Sequence, residues 1–151
     1  MATTVNKLFN LKSAPLIVSV IYIILRGMPL AEDIVTSHYR ISSYSDDTVS
    51  INESVYRQSL ILTAETLFGP WPVTGLDQLS SENLAPIFES KPAVVLLGTG
   101  PRQQFPEAKI FGLFGEQGIG LEVMDNGALC RTFNILVAED RAVTAAIILP
   151  G

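Results

Sequence analysis

The chain predicts an α/β fold, with a small mixed sheet, a C-terminal parallel βαβαβ unit and an N-terminal antiparallel β meander. Three observations carry this reading. The run Ala93-Val-Val-Leu-Leu97 is continuously apolar, as a strand covered on both faces is. Two amphipathic stretches follow it, the first stopped by glycine and the second opened by a capping residue, and each leads into a further short apolar run. Upstream, between Tyr39 and Ala64, short β-prone segments alternate with turn residues.

Each element has its own signal. Tyr39 to Tyr44, Thr48 to Ile51 and Val55 to Thr63 read as strands, separated by Ser45-Asp46-Asp47 and Asn52-Glu53. Gly69-Pro70-Trp71-Pro72-Val73 is a connecting loop, because its prolines remove backbone donors and fix φ; Trp71 there reads as a lid over the core edge. Ser80-Ser81-Glu82 offers N-cap chemistry for a short helix through about Glu89, with Pro86 weakening the helical signal in its second half. After the strand at Ala93 to Leu97, Pro106 to Gln117 is an amphipathic helix opened by proline, with Ile110, Phe111, Leu113 and Phe114 on one face. Gly118 ends it. Ile119 to Val123 is the next strand, Asp125 or Asn126 caps a helix running to about Asp140, and Ala142 to Leu149 is the last strand. Strand-helix alternation of this kind implies right-handed crossovers and parallel pairing, with the meander either extending that sheet or packing against it as a second one.

Composition narrows the function classes. A chain of 151 residues with 48% apolar and 17% charged residues is globular in type, and much of the apolar excess lies in the first 27 residues. The net charge of -5, without a Lys/Arg block, argues against nucleic acid as a partner. Cys130 is the one cysteine and His38 the one histidine. No intrachain disulfide forms from one cysteine, and a zinc site built on nitrogen and sulfur has too few ligands. Ser/His/Asp and Cys/His catalysis would rest on His38 alone, so no catalytic residue and no metal site is assigned. No cofactor is implied, and a reducing, cytoplasmic compartment fits best.

Residues 1–27 form an apolar extension ahead of a single α/β domain at 28–151. Lys7 and Lys12 precede the run Ala14 to Leu25, and Arg26-Gly27 follow it. That run falls short of the roughly 20 residues of a membrane span, and no small-x-small cleavage site follows it. A tail, a membrane anchor or targeting segment, and a true start at Met28 remain open.

Function in an open parallel sheet favours the crevice beyond the strand C-termini. Gly98-Thr99-Gly100 and Met124-Asp125 lie at that edge, and Arg131 and Asn134 share one helical stripe with Gly127 and Ala138. Polar groups on an otherwise apolar helix need partners. In one reading Arg131 pairs with Asp125 or a loop carbonyl and Asn134 holds the Gly98 to Gly100 loop; in the other, Gly98, Thr99, Gly100, Met124, Asp125, Arg131 and Asn134 line a small polar binding site. A dinucleotide fingerprint is a poor match, since Gln103 stands where the third glycine belongs and Pro101 stiffens the turn.

Val94-Val-Leu-Leu-Gly-Thr-Gly100, Gly120-Leu-Glu-Val-Met-Asp125 and Ala128-Leu-Cys-Arg-Thr-Phe-Asn134-Ile-Leu-Val-Ala-Glu-Asp-Arg141 together resemble a known family. It is the domain of unknown function shared by the mitochondrial respiratory complex I assembly factor 3 and the adipogenesis-associated protein, with many short bacterial and archaeal members. The resemblance runs from about Tyr39 to Leu149. It implies a compact α/β domain with a mixed sheet, no established enzyme activity, and protein contacts of the assembly-factor kind with an unidentified partner. The expectation is therefore an interaction or assembly protein, able to approach a membrane through residues 1–27 or to form a homo-oligomer. A small-molecule, nucleotide or anion binder using the strand-end crevice is the alternative.

Overall fold

A computed structural model describes residues 38–151; the apolar extension and the alternative start at Met28 lie outside the described residues. Tyr39–Gly151 form one compact unit. The strands are β1 (Ile41–Tyr44), β2 (Val49–Ile51), β3 (Ser54–Tyr56), β4 (Leu60–Leu62), β5 (Leu67–Phe68), β6 (Val94–Gly98), β7 (Gly120–Met124) and β8 (Val143–Ile147). Among the described residues the helices are α1 (Ser81–Glu89), α2 (Ala108–Gln117) and α3 (Asn126–Ala138), with a 3-10 turn at Leu76–Gln78.

The strands form a three-stranded sheet in the order β1-β2-β3 and a five-stranded sheet in the order β5-β4-β8-β6-β7. The mixed α/β architecture is thus the one the sequence predicts. β6 pairs in parallel with both β7 and β8, whereas β4 joins β8 antiparallel. The meander forms a second sheet.

Alternation along the central strands divides the core in two. Leu60, Leu62, Leu96, Ala145 and Ile147 point to one face, where they meet Leu129 and Phe133 of α3 and Ile41, Val49 and Ile51 of the small sheet. Ile61, Val95, Leu97 and Ala146 point to the other, where Leu84, Ile87, Ile110, Phe114 and Trp71 cover them. Both faces are apolar because both are covered, which is why these strands read as unbroken apolar runs.

Several boundaries differ from the sequence reading. Val55 to Thr63 is not one strand: β3 belongs to the small sheet and β4 to the large one, and the exposed pair Arg57-Gln58 marks the crossing. Ser59, 1% exposed, anchors the far side of that crossing, its hydroxyl donating to the Val73 carbonyl and accepting from the Leu149 N–H. β5 sits where the sequence showed only the approach to a loop; Thr63 Oγ1 accepts from the Thr66 N–H at 2.9 Å and turns the chain into it. α2 begins at Ala108, after Pro106 and an N-cap at Glu107, and Phe111 is exposed instead of joining Ile110 and Phe114 inside.

The N-cap expected before α1 is a full capping box. Ser80 Oγ accepts from the Asn83 N–H and Asn83 Oδ1 from the Ser80 N–H, and α1 continues through Pro86. Trp71 is 2% exposed and donates from its indole nitrogen to the Asn83 carbonyl at 2.8 Å, closing the second core. Gly118 ends α2 at φ 70°, a conformation that favours glycine.

Candidate functional site

The carboxyl ends of β6, β7 and β8 lie side by side, with Gly98 in register with Met124 on one side and Ile147 on the other. The helix after β7 returns across the sheet to β8, so the loops leaving this edge diverge, the geometry in which a crevice opens. Here the chain fills that crevice itself. Thr99 N–H donates to the Met124 carbonyl at 3.0 Å, Ile148 N–H to the Gly98 carbonyl at 3.1 Å and Asn126 N–H to the Gly100 carbonyl at 2.8 Å.

Asn126 completes the closure. Its Oδ1 accepts from the Gly100 N–H at 3.2 Å and its Nδ2 donates to the Ile148 carbonyl at 3.0 Å, so one amide joins the segments that leave β6, β7 and β8. The residue is 4% exposed, where an unpaired amide would cost about 1–3 kcal/mol. Gly98 makes room for it, since a Cβ at that position would run into Asn126 Oδ1.

The predicted site residues separate into two groups. Gly98, Thr99, Gly100, Met124 and Asp125 are all at the strand ends. Thr99 Oγ1 donates to the Arg102 carbonyl and accepts from the Gln104 N–H, folding the loop onto itself. Asp125 is the N-cap of α3, its carboxylate accepting from the Ala128 N–H at 2.8 Å. Met124 packs its side chain against the first core.

Arg131 and Asn134 do not reach this crevice. Both face β1: Asn134 bonds the backbone of Ile41, and exposed Arg131 lies 3.4 Å from Tyr44 Oη instead of pairing with Asp125. Gly127 belongs to the same stripe, with Tyr44 lying so close that a Cβ would meet its hydroxyl at 2.6 Å. The stripe is the seat of β1 on α3. The loop-holding role expected of Asn134 belongs to Asn126, which the sequence reading treated only as a possible cap.

Two further features complete the surroundings. Gln103 Nε2 donates to the Val123 carbonyl at 2.9 Å, covering one outward-facing acceptor on the edge strand β7. Among the described residues no three His, Cys, Asp or Glu side chains converge as a ligand set, and no helix is long and apolar enough to cross a membrane.

This is a layered α/β domain whose strand-end crevice is laced shut by its own backbone and one buried asparagine. The chain belongs to the family described as a protein of unknown function (DUF498/DUF598), matched over residues 41–148. A Xanthomonas campestris protein of solved solution structure superposes with a TM-score of 0.71 at 39% identity, over 82% of this chain and 94% of that one. The 13 kDa major membrane protein of Francisella tularensis is 27% identical over 122 residues, 80% of this chain and 99% of its own length. The zebrafish NADH dehydrogenase [ubiquinone] 1 alpha subcomplex assembly factor 3 is 33% identical over 101 residues, 59% of this chain. The match spans only 58% of that zebrafish protein. The family resemblance carried by the Leu-Gly-Thr-Gly and Cys-Arg-Thr-Phe-Asn blocks is thereby borne out.

Proposed function

We propose that this protein works by contact with other proteins, in the manner of an assembly factor, and that its target is a membrane-associated complex. The observation that carries the reading is the internal pairing at the strand ends. Gly100 N–H and the Ile148 carbonyl, groups a small ligand would use, are both taken by Asn126. Kinship supports the same direction, since one relative is named as an assembly factor of NADH dehydrogenase and another as a membrane protein. The reading places the protein in the cytoplasm or at a membrane face, consistent with a single buried, unpaired cysteine.

The experiment is affinity capture of the full chain, tagged at its C-terminus, from its own host under mild detergent. A stoichiometric partner recovered from the membrane fraction is the expected result. Recovery of only a second copy of the chain, or of nothing above background, would overturn it.

The nucleotide or anion reading draws less support, because Asp125 adds a negative charge beside the same amides. A thermal-shift panel of nucleotides and phosphates tests it, since ligand binding to the native state raises the melting temperature. The expected result is no shift.

A further inference from the structure

Asn126 and Gly127 are adjacent, and this dipeptide is chemically vulnerable. Glycine has no Cβ to hinder approach of its backbone nitrogen to the preceding side-chain amide. In the reaction, Gly127 N loses its proton and bonds to Asn126 Cγ; the Cγ–Nδ2 bond breaks and ammonia leaves. Water then opens the resulting five-membered imide at one carbonyl or the other, giving an aspartyl or an isoaspartyl linkage. Water is the only co-reactant.

The folded domain opposes each step. Asn126 is the first residue of α3, so its backbone is held helical instead of being free to close the ring. Its two amide atoms are engaged by Gly100 and Ile148, on the segments that follow β6 and β8. Burial at 4% exposure keeps out the water that hydrolysis needs, and Tyr44 lies against Gly127 from outside.

We propose that Asn126-Gly127 is a latent modification site, converted only when the start of α3 opens, and that conversion is one-way. Loss of ammonia makes the covalent change irreversible, and geometry keeps the converted chain from regaining the native fold. An isoaspartyl link inserts an extra methylene into the main chain of the first helical turn, displacing the Asp125 cap from the Ala128 N–H. The aspartyl product sets a carboxylate against the Ile148 carbonyl, where the native amide donates. A molecule that has opened and reacted does not close again in the same way.

The test compares the full chain in mildly alkaline buffer, the same chain unfolded in urea, and the free peptide Met-Asp-Asn-Gly-Ala-Leu. Peptide mapping by mass spectrometry follows loss of the amide and appearance of isoaspartate. The urea-unfolded chain should convert at the peptide's rate, and the native chain about a thousandfold more slowly, in proportion to its open fraction. Native conversion within about tenfold of the peptide would overturn the proposal. So would an unfolded chain no faster than the native one.

Gly98→Ala, which unseats the Asn126 amide, should raise the native-buffer rate by about tenfold or more, and an unchanged rate would count against the protective role of the clamp. Gly127→Ala, compared in urea where folding is irrelevant, should slow conversion sharply; an unaltered rate would show that a different residue reacts. Converted chains diluted from urea should fail to regain the thermal transition of untreated protein, and full recovery would refute the block on refolding.

Discussion

The side-chain amide of Asn134 pairs with both backbone groups of Ile41, donating from Nδ2 to its carbonyl at 2.8 Å and accepting at Oδ1 from its N–H at 3.0 Å. It stands where the peptide group of a neighbouring strand would, and it fastens the edge of the small sheet to α3. Edge strands that keep free donors and acceptors invite pairing with other chains, so the amide also blunts that edge.

Asn134→Ala should therefore destabilise the domain by about 1–3 kcal/mol, because both groups of Ile41 lose their partner in a partly buried place. Urea unfolding followed by Trp71 fluorescence measures this. An unchanged midpoint would mean that water replaces the amide without loss.

Gly127 and Tyr44 form a coupled pair. Gly127→Ala alone should cost no more than about 1 kcal/mol, since the new methyl group meets the far end of the half-exposed Tyr44 side chain, which can swing aside. In a Tyr44→Ala background the same change should become neutral or stabilising by up to about 1 kcal/mol, the helix preference of alanine over glycine. A double-mutant cycle reads the coupling, and additive effects would show that the ring does not rest on the helix as described.

Gly98→Ala should be among the most damaging single-methyl additions in the domain. Its Cβ would run into Asn126 Oδ1 and come within 3.0 Å of Leu129 Cδ1. A loss of about 2 kcal/mol or more is expected from overpacking combined with a displaced buried amide. Thermal unfolding checks it, and a wild-type transition would contradict the clamp.

Cys130 introduces a dependence on alkaline pH. Burial pushes its thiol up from 9.0 to about 11, with the Arg131 cation pulling it back and the Asp125 carboxylate adding to the rise. The folded value lies above the unfolded one, so the associated stability is fully present below pH 9.0 and is lost as pH rises toward about 11. Screening at this partly solvated site holds the loss over that window to about 1–2 kcal/mol. Cys130→Ala should flatten that part of the stability profile relative to wild type, and parallel profiles would remove the thiol from the account.

The strands and helices after Ala93 were legible because local signals agreed: apolar runs for doubly covered strands, a proline opening α2, a capping residue before α3 and glycine after α2. The division of Val55 to Thr63 between two sheets was not, because nothing local to Arg57-Gln58 says which strand each side will join. Asn126 holds the loop in place of Asn134 for a related reason. A helical wheel placed Asn134 beside Arg131, but what that stripe faces is fixed by β1, whose Ile41 lies 93 positions away in sequence. Asn126 did carry a signal. Asp125 and Asn126 are consecutive residues able to cap one helix, and only one can do so, leaving the other amide free to bind elsewhere.

β8 lies between β4 and β6, yet it is synthesised after both. Until Val143–Ile147 have emerged from the ribosome, the β4-β5 hairpin and the β6-β7 pair have nothing to join them, and each presents an unzipped apolar flank to the cell. Assembly of the large sheet is consequently a late event in the life of the nascent chain. Chaperone engagement should be strongest in the interval between the appearance of β6 and the arrival of the strand that closes the gap.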